Sequence, residues 1–128
     1  MATKVRRKMK ETILSAQDGK SIFSFTTDIW SSLANDSYIS LTAHYVKDFE
    51  RVNIMLSVSL FNESHTGENI ASKMRELLDF WGFERSKIFM ILRDNAPNMK
   101  AAFRDSGYDS FGCLAHTLQV RKNYFVII

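Results

Sequence analysis

Apolar and polar residues alternate over residues 22–30, with Phe23, Phe25, Thr27 and Ile29 on one side of an extended chain and Ser24, Thr26, Asp28 and Trp30 on the other. A period of two is that of a half-buried β-strand. The pattern returns over 38–46, where Ile39, Leu41, Ala43 and Tyr45 oppose Ser40, Thr42 and His44. It returns again over 52–60, where Val52, Ile54, Leu56, Val58 and Leu60 alternate with Asn53, Ser57 and Ser59. A turn at Asn35-Asp36 and other short polar links make these three strands an antiparallel set. The period then changes. From Thr66, which suits an N-cap, Ile70, Met74, Leu77, Leu78 and Trp81 fall at helical spacing until Gly82 ends the run, predicting a helix over one sheet face.

Residues 87–92 (KIFMIL) are almost continuously apolar. After a helical crossover, such a run reads as a parallel strand buried on both faces. Pro97 opens a second helical segment carrying Met99, Ala102 and Phe103, and Gly107 closes it. A short extended piece at 110–113 and a last helix from about Leu114 follow. A polar helix over 4–17, ended by Asp18-Gly19, precedes everything. The expected fold is α/β: three antiparallel strands, helix, buried parallel strand, helix, short strand and helix around one mixed sheet. Trp30, Trp81 and the phenylalanines read as core.

Length and composition narrow the chemistry. The 128 residues make one compact domain the ceiling, and the apolar runs fall far short of the roughly 18 to 20 residues that span a membrane. No apolar stretch follows the basic N-terminus, so it does not read as a secretory signal. One cysteine excludes an intramolecular disulfide. With three histidines beside it, zinc fingers built on four cysteines, or on two cysteines and two histidines, are excluded as well. A reducing, intracellular compartment is the default expectation.

The net charge of +3 is concentrated at one end. Lys4, Arg6, Arg7, Lys8 and Lys10 come without an acid among them, and the remaining twelve basic residues face fourteen acidic ones. The run suits a phosphate-contacting arm or a nuclear-import signal, and equally a solvated helix start. It sets residues 1–20 apart as a basic helix or arm from a body over 21–128.

Two acids stand out by position. Asp28 lies near the end of the first strand, and Asp94 ends the apolar strand directly before a helix start. The carboxyl ends of strands are where open α/β sheets place their ligands. If the first and fourth strands are parallel neighbours, the two carboxylates face each other, an arrangement that suits Mg²⁺ or Mn²⁺ between them. The plainer alternative makes Asp28 an edge-facing polar residue and Asp94 a carboxylate favoured by the next helix dipole.

Four strings add to this reading: FSFTTDIWSS (23–32), SHTGENIA (64–71), ILRDNAPNM (91–99) and GCLAHTLQ (112–119). Together they resemble the transposase core of the hAT superfamily, and in particular its domesticated relatives with BED-type zinc fingers. The resemblance covers residues 21–120 and implies an RNase H-like fold, here truncated. It implies a metal-dependent Asp-Asp-Glu site for cutting and joining DNA, with Asp28 as first acid, Asp94 as second, and Mg²⁺ or Mn²⁺ as cofactor. Cys113 and His116 match the Cys-x-x-His motif and are implied to lie beside that site, His116 near DNA; as residues alone they read equally as a buried thiol and a helix-start histidine. His44 and His65 read as structural or solvent-facing.

The resemblance is incomplete. The family's third acid is a glutamate beyond a large helical insertion, and neither Glu63 nor Glu68 stands in its place. The BED finger and the C-terminal segment through which the family forms homo-oligomers lie outside the sequence. The chain therefore reads as a fragment: the N-terminal part of a transposase core, inactive by itself, from a transposase-derived nuclear protein that binds DNA or regulates. The alternatives are a piece of an active transposase and a non-catalytic protein-interaction module.

Overall fold

The computed structural model describes residues 2–104 and 106–113. Helix α1 (Ala2–Asp18) leads into strands β1 (Phe23–Ser31), β2 (Ser37–Lys47) and β3 (Glu50–Leu60); helix α2 (Gly67–Phe80), strand β4 (Ile88–Arg93), helix α3 (Pro97–Arg104) and the short strand β5 (Ser110–Gly112) complete it. The last helix expected from about Leu114, together with His116, lies outside the described residues.

The five strands form one sheet in the order β3-β2-β1-β4-β5. β1 to β3 pair antiparallel, while β4 joins β1 and β5 joins β4 in parallel. The mixed sheet and the helical crossovers match the expected architecture. Phe23, Phe25, Ile39, Leu41, Ala43, Tyr45 and Ile91 point to the face that α1, α2 and α3 cover with Ile13, Met74, Leu78, Met99 and Phe103. Phe83 packs edge-on against Phe23 and Phe25, with ring centroids 5.0 Å and 4.8 Å away. Burial pushes the Tyr45 phenol above its ordinary pKa by desolvation.

The helix boundaries follow from local chemistry. Thr66 caps α2 by accepting a hydrogen bond from the Asn69 amide at 3.2 Å, as its spacing predicts. Gly82, at φ +75°, supplies the left-handed residue that ends the helix. Helix α1 docks through Ile13 and Ala16, and through Gln17, whose amide accepts from the Glu84 N–H at 2.9 Å and donates to the Gly82 carbonyl at 3.0 Å. Nothing in the sequence marks this buried glutamine.

Three details depart from the periodic pattern. The β2–β3 register shifts at Leu41/Thr42, where a bulge adds a residue to β3. An extra residue reverses the phase of every side chain beyond it. Ser57 and Ser59 therefore turn inward, where the Ser57 hydroxyl accepts the Trp81 indole N–H at 2.9 Å. Val58 and Leu60, expected on the Leu56 face, stand outward and are 51% and 55% exposed.

Second, β4 is parallel and flanked on both sides but not buried throughout: Ile91 is buried and Met90 and Leu92 are half-buried, while a register shift against Phe23 and Ser24 makes Phe89 an extra residue that is 61% exposed. Third, Trp81 is core as expected, but Trp30, Phe49, Phe80, Phe89 and Phe111 are exposed. Alternation identifies the face a residue takes, not whether that face is covered.

Candidate functional site

The parallel pairing of β1 with β4 builds the site. Thr26 pairs with Leu92, the last pair of the ladder, and Asp28 and Asp94 each lie two residues further on, Asp94 just past the carboxyl end of β4. Adjacent strands run about 5 Å apart. Both acids line one cleft of about 270 Å³ on the outer sheet face, shared with Thr26, Ser40 and Cys113.

Each carboxylate is fixed by its own backbone. Asp28 Oδ1 accepts from the Ile29 amide at 3.0 Å, and Asp94 Oδ1 accepts from the Ala96 amide at 2.9 Å, closing the turn into α3. The Oδ2 atoms make no hydrogen bond within the described residues, and no lysine or arginine there lies within ion-pair distance of either acid. Arg93 instead braces the turn, donating from Nε to Ser110 Oγ and from Nη1 to the Asp94 carbonyl, both at 3.0 Å.

The other motif residues meet at this same end of the sheet. Asn98 Nδ2 donates to the His65 carbonyl at 2.9 Å, tying the turn after Asp94 to the start of α2. Gly67 lets those segments touch: a Cβ there would lie 3.0 Å from Ala101 Cβ and 3.1 Å from the Ala102 amide. Likewise, a Cβ on Gly112 would collide with Asn95 Oδ1. The half-buried Cys113 donates its amide N–H to the Arg93 carbonyl at 2.6 Å. His65 stacks on Phe61 with ring centroids 5.1 Å apart, and its ring is turned away from chemistry, with Nε2 3.2 Å from the Phe61 carbonyl.

Two hard oxygen donors whose Oδ2 atoms carry no hydrogen bond among the described residues fit Mg²⁺ or Mn²⁺, and the Arg93 guanidinium that lines the same cleft is engaged by Ser110 and the Asp94 carbonyl. Among the described residues, no group of three or more His, Cys, Asp or Glu side chains is placed to hold a metal. Asp28 and Asp94 thus stand as a pair. Thr26 and Ser40 join them in the cleft through cross-strand register, which local periodicity does not reveal.

The basic residues of α1 lie elsewhere. Arg6 and Lys10 sit over the Phe80 ring, 5.7 Å and 4.0 Å from its centroid, while Lys4, Arg7 and Lys8 are exposed to solvent. The helix joins the sheet at the amino end of β1, away from the acids. No helix among the described residues is long and apolar enough to cross a membrane.

Comparison with known proteins gives this arrangement a family. The profile of the ZBED1 RNase-like domain matches residues 26–106. Two maize (Zea mays) proteins, the putative AC transposase and the putative AC9 transposase, are each 31% identical over 91 residues, or 70% of this chain. The match spans only 11% of the length of either relative. With the sheet order, the converging motifs and these matches in hand, the chain belongs to the ZBED1 RNase-like domain family, a transposase-derived fold of hAT type.

Proposed function

We propose that this chain supplies the sheet and two carboxylates of a metal-dependent site for cutting and joining DNA, and that by itself it binds a divalent cation weakly and leaves DNA intact. The observation that supports this reading is the parallel β1–β4 pairing, after which Asp28 and Asp94 line one cleft, their Oδ2 atoms without a hydrogen bond among the described residues. Both acids hold the cation. The backbone bonds to their Oδ1 atoms restrain both carboxylates, so less ordering remains to be done on binding. When bound, Mg²⁺ or Mn²⁺ neutralises phosphate charge and activates water or a 3′-hydroxyl for in-line transfer. The relatives named as transposases support DNA as the polymer.

Two carboxylates with no third acidic ligand among the described residues hold a divalent ion loosely, which favours a DNA-binding or regulatory role in the nucleus. Lys4, Arg7 and Lys8, on the open side of α1, are assigned the phosphate contacts; Arg6 and Lys10 pack on Phe80, and the whole run from Lys4 to Lys10 also suits nuclear import. His116 is assigned a place near DNA by the motif it shares with Cys113.

The test measures Mn²⁺ binding and plasmid nicking with the 128-residue chain. Weak binding that drops about tenfold or more in Asp28→Asn and in Asp94→Asn, with no nicking, is the expected result. Binding indifferent to both substitutions overturns the acid-pair assignment. Nicking that vanishes in Asp28→Asn overturns the inactive reading.

A further inference from the structure

Cross-strand register places a second feature directly beside the acid cleft. Asp28 pairs with Ser40, and one step further along the same outer face Trp30 pairs with Tyr38, which in turn pairs with Leu60. Partners in register share a sheet face, so these side chains form one uncharged row across three strands. The Trp30 and Tyr38 rings stack with centroids 5.8 Å apart and planes 25° from parallel. Trp30 nonetheless remains 41% exposed, and Leu60, displaced outward by the bulge, 55%.

We infer that Trp30 and Tyr38 form a stacking platform for an unpaired nucleobase of single-stranded DNA whose backbone passes over Asp28 and Asp94. The inference rests on the DNA reading above for the class of polymer. Two residues along a strand span about 7 Å, a distance that one nucleotide bridges from phosphate to base. Trp30 is held by Tyr38 before any ligand arrives, so stacking immobilises little that was free. The row offers flat apolar surface without an arginine, asparagine or glutamine to read base edges, which favours stacking tolerant of sequence. A base within a duplex is already stacked on its neighbours and cannot reach the row, so single strands are preferred. The carboxylates beside the row repel a bare phosphate, so a divalent cation strengthens binding.

The experiment follows tryptophan emission of the full chain together with the anisotropy of an end-labelled oligothymidylate, of the same oligonucleotide made abasic, and of duplex, each in Mg²⁺ and in EDTA; affinities, including those of the Trp30 variants that lack the reporter, are read from anisotropy. Trp81 is buried with its N–H bonded to Ser57, so quenching by bases reports Trp30. The expected results are quenching at saturation by the intact single strand and affinity for the abasic strand lower by about tenfold or more. Trp30→Leu removes the discrimination between intact and abasic strands, and Trp30→Phe keeps most of it, which separates lost stacking from lost folding. Equal affinity for both strands, or emission unchanged at the highest DNA concentration, overturns the platform. So does a spectral shift driven by protein concentration alone, which marks a self-association face. If discrimination between the strands persists while Mg²⁺ and Asp28→Asn make no difference, the metal reading falls and the platform stands; a Mg²⁺-dependent affinity blind to the bases has the opposite meaning.

Discussion

The bulge in β3 makes a prediction that inverts what hydrophobicity alone dictates. Ser57→Ala leaves the indole N–H of Trp81, a residue only 3% exposed, without its partner at 2.9 Å. A buried donor left unpaired costs about 1 to 3 kcal/mol. Val58→Thr keeps shape and strand propensity on a side chain that is 51% exposed, and should cost about 0.5 kcal/mol or less. Were the alternation of residues 52–60 unbroken, the order would reverse: Ser57 would be a free surface hydroxyl, and Val58→Thr would bury one without a partner. Urea unfolding of both variants, with unchanged slope, measures the difference directly. In a domain of this size, 1 kcal/mol corresponds to about 4 °C in Tm. A larger loss in Val58→Thr than in Ser57→Ala refutes the phase reversal.

Two further outcomes follow from local geometry. Asp48 and Phe49 form the two-residue β2–β3 turn with φ of +51° and +64°, and Phe49 is fully exposed, so Phe49→Gly relieves a left-handed phenylalanine without losing burial; a Tm rise of about 4 °C is expected in a thermal melt, and a fall contradicts the turn assignment. Replacing Lys4, Arg7 and Lys8 together by glutamine should flatten the logarithmic salt dependence of DNA binding by about 2 to 3, while Arg6→Gln with Lys10→Gln, whose parents pack on Phe80, should change the slope less. An unchanged slope in the triple variant removes α1 from the DNA interface.

Much of the architecture was legible because it is written in short-range patterns. The two-residue period marks β1 and β2, the Thr66 cap and Gly82 bound α2, and the apolar 87–92 run announces a central parallel strand. That Asp28 and Asp94 come to one cleft was legible through their places at strand ends. What escaped is non-local. The bulge depends on how β3 registers against Leu41 and Thr42; the Gln17 clamp joins residues 67 apart in the chain. Exposure of Trp30 depends on whether anything covers the outer face, about which alternation carries no information, and that of Phe89 on a register shift between β1 and β4. Thr26 and Ser40 entered the cleft only because β1 lies between β2 and β4.

The bond from Asn98 to His65, with the close passage of Gly67 past Ala101, gives the acid pair a mechanical setting. Opening the turn that carries Asp94 breaks a bond to the segment that leads into α2, 33 residues earlier in sequence at His65. The two segments are therefore expected to open together, with similar protection in amide exchange. Charge placed on Asp94 is held by a joint rather than by a loop, and any polymer that pulls on that turn pulls on the helix start as well.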